Sequence, residues 1–157
     1  MQTTLDSSAN NVLQDFLRFV IGLRRPPKQP FNDPVLGEMQ PCEAGWTVPI
    51  QKGEDLFTFT IADGDQPEAA SLAHAREILN GYEVFKRSVK DCIESETRNY
   101  PVEAKAELAQ MEIDDISLIW PHRPRDGIIS FRGPADYVGL WRCDYVDGEP
   151  TGLGCDT

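Results

Sequence analysis

The sequence lacks the short motifs around which most nucleotide-binding and nucleophilic sites are built. No Gly-x-x-x-x-Gly-Lys-Ser/Thr or Gly-x-Gly-x-x-Gly run occurs, so no glycine-rich loop is predicted to cradle a phosphate. Gly-x-Ser-x-Gly is also missing, and there are only two histidines. We expect His74 on the solvated side of a helix and His122 in a proline-flanked turn, where neither would activate a nucleophile. The sequence therefore predicts no catalytic residue and no cofactor.

Cysteine is scarce and is not arranged to hold a metal ion. The four cysteines are Cys42, Cys92, Cys143 and Cys155, and no two of them form a Cys-x-x-Cys pair. The acidic residues form no complete calcium loop, so no metal ligands are predicted. Without a secretory signal, we expect the thiols to be reduced and the protein to be cytoplasmic.

Long hydrophobic runs are absent as well. The most apolar segment covers residues 11–23, where Asp15 and Arg18 interrupt it. A membrane-spanning helix needs roughly 20 apolar residues, and a signal peptide would carry its basic residues before the apolar run and not after it. No membrane span is therefore expected.

Basic residues are few relative to acidic ones. Lys and Arg number 15 against 26 Asp and Glu, which gives a net charge of −11. Such a surface repels nucleic-acid phosphates and anionic lipid headgroups. It favours a basic protein partner, although solubility alone is the alternative explanation.

Residues 1–30 are predicted to be an appendage: an amphipathic helix followed by a proline-rich linker. Apolar residues recur at near-helical spacing up to Leu23, with Phe16 and Phe19 widening the stripe, and Pro26 and Pro27 end the pattern. The segment has four basic and two acidic residues, so the remainder carries −13. The helix either packs on its own domain or docks on another protein or a second copy of the chain through Phe16 and Phe19.

The first strand signals lie between residues 31 and 61. Runs at residues 35–39, 45–50 and 56–61 are rich in β-formers, and in the last run Phe57, Phe59 and Ile61 alternate with threonines. This alternation is typical of a half-buried strand.

Helix signals follow, and strand signals then return. Apolar residues at three- and four-residue steps from Leu72 to Ile93 predict one long helix capped by Asp65, and Pro101 opens a second helix. Further strands are predicted at residues 113–120, 128–131 and 138–145, with a hairpin at Asp147-Gly148. The sequence thus predicts one α+β domain over residues 31–157. It would be a mainly antiparallel sheet with two central helices on one face, plus the extra N-terminal helix.

Aromatic and acidic residues of the C-terminal strands are the candidates for partner binding. Tyrosine and tryptophan are common binding hot spots, and neighbouring carboxylates would suit a basic partner, although these rings could instead belong to the core. The predicted partner-binding residues of this region are Asp136, Tyr137, Trp141, Asp144, Tyr145, Asp147 and Asp156.

Two segments resemble small bacterial domain-of-unknown-function proteins. One is Phe31-Asn-Asp-Pro-Val-Leu-Gly37, which has the form Phe-x-Asp-Pro-x-x-Gly, and the other is the glycine-rich end from Asp136 to Gly154. The resemblance covers residues 31–157 and implies a cytoplasmic bacterial α+β protein. Small acidic proteins of this kind also resemble immunity proteins that neutralise toxins.

Three functional hypotheses follow. The leading one is a non-enzymatic binding domain, an immunity protein that neutralises a basic toxin through an acidic surface containing aromatic residues. The second is a small hydrolase or divalent-metal-dependent enzyme that uses Asp114, His122, Asp126 and Asp144. The third is a structural subunit that docks through its N-terminal helix.

Overall fold

A computed structural model describes residues 28–62, 64–134 and 139–156. Strands make up 43% of these residues and helices 27%. The predicted α+β architecture with two central helices is therefore wrong, because the described chain is mostly sheet and has three short helices. The strands are β1 (Phe31–Asp33), β2 (Gly37–Cys42), β3 (Gly45–Lys52), β4 (Asp55–Ala62), β5 (Glu112–Leu118), β6 (Gly127–Arg132), β7 (Leu140–Val146) and β8 (Glu149–Asp156).

The eight strands form one mixed sheet in which chain order and spatial order are the same, β1 to β8. Neighbours pair antiparallel except β4 and β5, which run parallel with Phe59 opposite Ile116. Parallel neighbours need a long crossover connection, and residues 63–111 supply it. The strand patterns in the sequence did not reveal this pairing, because alternation gives a strand's buried face and not its direction.

The helices all belong to this crossover: α1 (Ala69–Asn80), α2 (Tyr82–Glu96) and α3 (Val102–Leu108). The long helix predicted between Leu72 and Ile93 is divided at Gly81, which ends α1 and begins α2. The N-cap of α1 is Glu68 and not Asp65, since the Glu68 carboxylate accepts a hydrogen bond from the Ser71 backbone N–H at 2.6 Å. Apolar residues continue at three- and four-residue steps on both sides of Gly81, and for this reason the sequence predicts one helix and not two.

The core lies between the helices and one face of the sheet. Tyr82 at the start of α2 stacks on Phe57 of β4, with ring centroids 4.7 Å apart. Phe85 meets Tyr145 of β7 edge to face, and Cys92 Sγ lies 3.9 Å from Cys143 Sγ. Alternate residues of β4, β6 and β7 are buried in the same cluster, so the helices cover this face of the sheet.

The Phe31–Gly37 segment is a structural turn that joins β1 to β2. Asp33 is buried, and its Oδ1 accepts hydrogen bonds from the backbone N–H groups of Val35 and Leu36, both at 2.9 Å. Arg76 of α1 forms an ion pair with the same carboxylate. Burial raises the pKa of Asp33, but Arg76 and the two N–H groups outweigh it and hold the pKa below its usual range. This motif therefore ties the first hairpin to the first helix.

The predicted N-terminal helix, with Phe16 and Phe19, lies outside the described residues. It remains a prediction, as does its role in docking.

Gly127 provides a test of the β5–β6 packing. A Cβ at this position would clash with the Ser117 carbonyl oxygen and lie 3.0 Å from a Leu118 methyl. We expect Gly127→Ala to lower the free energy of unfolding by about 1–3 kcal/mol, as overpacking commonly does. Urea denaturation measures the change.

Gly81→Ala is the matched control. Gly81 has φ −102°, and its nearest neighbour to an added Cβ is the Glu77 carbonyl oxygen at 3.6 Å. We expect Gly81→Ala to raise the free energy of unfolding, by no more than about 1 kcal/mol. Equal effects of the two substitutions would contradict the close approach assigned to Gly127.

Candidate functional site

The face of the sheet opposite the helices is the candidate site, and we call it the open face. Strand residues alternate between the two faces, so the neighbours of the buried core residues point to this side. Among the described residues, no helix covers it. The open face of β4 to β8 consists of Leu56, Thr58, Thr60, Glu112, Asp114, Asp115, Ser117, Ile128, Ser130, Arg132, Leu140, Arg142, Asp144, Val146, Glu149, Gly152, Gly154 and Asp156.

This face is acidic. Six of its residues are carboxylates and two are arginines. Arg132 pairs with Glu112 and Asp114, at 3.2 and 2.9 Å, and Arg142 pairs with Asp156 at 2.5 Å. Both arginines form ion pairs with carboxylates of the same face, and the carboxylates outnumber them. The face as a whole therefore carries excess negative charge.

Asp115 lies at the centre of the open face. Thr60 of β4 donates a hydrogen bond to its Oδ1 at 2.8 Å, and the Ser117 hydroxyl donates to Oδ2. Burial is the largest influence on Asp115 and raises its pKa above the usual range; the two hydroxyls lower it in part, and the nearby Asp114 raises it further. A carboxylate in this position holds a proton more readily than an exposed one.

The part of the face formed by β7 and β8 is flat. Gly152 lies beside Asp144, and Gly154 lies beside Arg142. Neither glycine has a side chain that would project from the sheet. Leu140 and Val146 are 48% and 43% exposed on the same strand as Asp144. This strip therefore offers both apolar and charged contacts without a protruding obstacle.

The structure divides the predicted partner-binding residues among three locations. Asp144 and Asp156 lie on the open face, and Asp147 is at the tip of the β7–β8 hairpin with a side chain that is 92% exposed. Trp141 and Tyr145 point to the helical side and are buried, with the Trp141 indole N–H donating to Glu107 at 2.5 Å. Neither ring is an exposed anchor, because β7 turns its odd-numbered residues toward the core. Asp136 and Tyr137 lie outside the described residues.

The residues proposed for a hydrolase do not converge. Asp114 pairs with Arg132 on the open face. Asp126 instead accepts a hydrogen bond from the Asp147 backbone N–H at 2.7 Å, which with Arg123 holds its pKa below the usual range. His122 is exposed in the loop before β6, with φ 69°. Within the described ranges, no three His, Cys, Asp or Glu side chains are grouped so that they could hold a metal ion.

Sequence reasoning missed a buried polar network around His74. The predicted solvated position is wrong, since His74 is 4% exposed. Its Nε2 lies 2.9 Å from the Tyr145 hydroxyl and its Nδ1 lies 3.0 Å from Glu77 Oε2. Arg125 donates to the same Glu77 oxygen at 2.9 Å. The network joins α1 to β7 and to the loop before β6. The signal available in the sequence was the position of His74 four residues before the core residue Ile78.

No family model, no curated protein and no solved structure matches this chain. The resemblance to small bacterial proteins of unknown function thus remains a prediction. Within the described part of the chain, no helix is long and apolar enough to cross a membrane. The function has to be inferred from the residues themselves.

Asp115 predicts a pH-dependent effect on stability. The Asp115 carboxyl holds its proton more tightly in the folded protein than in the unfolded chain. Its contribution to the free energy of unfolding is therefore fully present below the unfolded pKa and is lost as pH rises through the folded pKa. Asp115→Asn cannot ionise, and we expect its Tm to exceed that of the parent near pH 7. The difference should shrink toward pH ~3, below the ordinary aspartate pKa.

Thermal denaturation over this pH range tests the expectation. Asp144→Asn, an exposed carboxylate on the same face, is the control and should change the Tm little. A gain at Asp115→Asn that is independent of pH would show that its ionisation is not the cause.

The His74 network predicts a cost for losing the Tyr145 hydroxyl. Burial raises the pKa of Tyr145 to about 12, so the hydroxyl stays neutral and available to His74. Tyr145→Phe would leave a buried imidazole nitrogen unpaired, and we expect a loss of about 1–3 kcal/mol in the free energy of unfolding. In Tyr100→Phe, the control, the hydroxyl removed has no hydrogen bond to another described residue. A similar loss in both variants would argue against the pairing.

Proposed function

We propose that this protein is a non-enzymatic binding domain of the immunity type, which neutralises a basic protein toxin by docking it on the open face. The observation that carries the proposal is the charge of that face: six carboxylates against two arginines, on a sheet surface that no described helix covers. Opposite charge accelerates encounter with a basic partner and disfavours acidic ones.

The apolar contacts of the proposed interface are aliphatic and not aromatic. Three of the six large hydrophobic residues that are exposed in the described part of the chain lie on the open face, namely Leu56, Leu140 and Val146. Apolar side chains within a charged surround are the usual arrangement of a protein interface. Leu140 and Val146 therefore take the anchoring role that the sequence assigned to Trp141 and Tyr145.

The arrangement of Asp115 also supports binding over chemistry. Its carboxylate is held by Thr60 and Ser117, and no histidine or lysine is hydrogen-bonded to it among the described residues. A general base or nucleophile needs a second group in reach to accept or deliver a proton. Asp115 instead suits a partner that offers it a positive charge, which would favour its ionised form.

Charge reversal on the open face tests the proposal. A tagged full-length chain is used to capture its partner from the native cell at low salt, and the association rate of the purified pair is then measured by surface plasmon resonance. For Asp144→Lys/Asp114→Lys we expect association to slow by about tenfold and its dependence on salt to flatten. The partner itself should be basic, and co-expression of the parent chain, but less so of the variant, should relieve its toxicity.

Asp91→Lys/Glu96→Lys is the matched control. Both residues are exposed on α2, on the other side of the sheet, and the double substitution changes the net charge by the same amount. If the control slows association as much as the open-face variant, net charge and not this face governs binding. A partner that is acidic or indifferent to salt would contradict the proposal.

A further inference from the structure

A concave surface lies on the helical side of the molecule. It is a cleft of about 850 Å³ between α2 and α3, closed at one end by the start of β4 and floored by β5 and β6. Small-molecule sites commonly have volumes of roughly 300–1,000 Å³. The cleft is therefore large enough for an organic ligand, and the sheet separates it from the open face.

The floor of the cleft is apolar. Val89 and Ile93 of α2, Leu108 of α3, Met111, and Ile113 and Phe131 of the sheet line it. Ile93, Met111 and Ile113 are only partly buried and pack against the core cluster. A ligand with an apolar body would remove these side chains from water, which is the main source of affinity in such sites.

The rim of the cleft is basic, in a chain that is acidic overall. It carries Lys86, Arg87, Lys90, Arg98 and Lys105 against Asp55, Glu83, Glu94 and Glu112.

Pairing within the rim leaves positive charge available. Lys86 pairs with Asp55 at 2.6 Å, Lys90 lies 3.8 Å from Glu94, and Glu112 is held by Arg132. Lys105 donates to the Arg98 backbone carbonyl, which keeps its charge uncompensated. Within the described part of the chain, Arg87 and Arg98 form no ion pair. Three cations thus remain against Glu83 alone.

We propose that this cleft binds an amphiphilic organic anion, a fatty carboxylate, with its chain on the apolar floor and its carboxylate toward Arg87, Arg98 and Lys105. The two halves of the cleft match the two halves of such a ligand. A neutral lipid would leave the rim without a counter-charge, and a small inorganic anion would leave the floor exposed to water. The arginine guanidinium groups are suited to a planar carboxylate, to which they donate two parallel hydrogen bonds.

This site is independent of the proposed toxin-binding function. Except for Glu112, which lies at the edge of the sheet where the two surfaces meet, its residues lie on the opposite side of the sheet from the open face. Neither function requires the other. Loss of partner binding and loss of fatty-acid binding would therefore be observed separately.

The experiment is calorimetric titration of the full-length protein with dodecanoate below its micelle concentration, compared with dodecylamine, which has the same chain and a positive charge. We expect saturable one-to-one binding of dodecanoate, with dodecylamine at least about tenfold weaker. Raising the salt concentration should weaken dodecanoate binding, because the rim is exposed and its charges are screened.

Two variants separate the contributions of rim and floor. Arg87→Gln/Arg98→Gln should raise the Kd for dodecanoate by about three- to tenfold, the range expected for two exposed charge contacts. Ala109→Trp places a bulky side chain at an exposed position of the cleft wall and should abolish binding by filling the space, while the Tm stays close to that of the parent.

Arg123→Gln/Arg142→Gln is the control for charge, since neither arginine lines the cleft and both pair with carboxylates outside it. This variant should leave the Kd unchanged. The proposal is overturned if the full-length protein does not bind dodecanoate. It is equally overturned if dodecylamine binds as tightly, or if the Arg87/Arg98 and Arg123/Arg142 variants weaken binding to the same extent.

Discussion

The parallel pairing of β4 with β5 is the constraint on which the rest of this structure depends. All other neighbouring strands are antiparallel, so they can be joined by turns at the same end of the sheet. To place β5 beside β4 in the same direction, the chain has to return along the full length of a strand, and residues 63–111 do so as three helices. Those helices bury the core on one face. The other face is left with the threonines, serines and carboxylates that alternate with the core residues.

Both functional surfaces follow from that arrangement. The open face exists because the described helices pack together on one side of the sheet, and its charge reflects the acidic excess of the whole chain. The cleft exists because the crossover contains separate helices, so that α2 and α3 diverge over the ends of β5 and β6. It is also where basic side chains are concentrated. One molecule therefore presents an acidic sheet and a basic-rimmed cleft on opposite sides, two surfaces that suit ligands of opposite charge.

Polar contacts between elements fix the helices against the sheet. Asp33 and Arg76 connect the first hairpin to α1, and His74 and Tyr145 connect α1 to β7. Trp141 of β7 donates to Glu107 of α3. Each contact joins residues far apart in sequence, and each involves a polar group that is shielded from water and therefore costly to leave unpaired. The same logic explains why the Phe31–Gly37 motif is structural: its aspartate satisfies two turn N–H groups and one arginine.

The sequence by itself determined the strand and helix blocks, because alternation in β4 and the three- and four-residue steps from Leu72 to Ile93 are local properties of the chain. It also determined the acidic charge and the hairpin at Asp147-Gly148, where the turn residues have φ values of 50° and 87°. Only the tertiary structure decided the direction of β5, the break at Gly81 and the faces to which Trp141, Tyr145 and His74 point. It alone gathered Glu112, Asp115, Asp144 and Asp156 on one surface and five basic residues around one cleft. The physical reason is that periodicity specifies which side of an element is buried, whereas register, strand direction and long-range hydrogen bonds specify what that side meets.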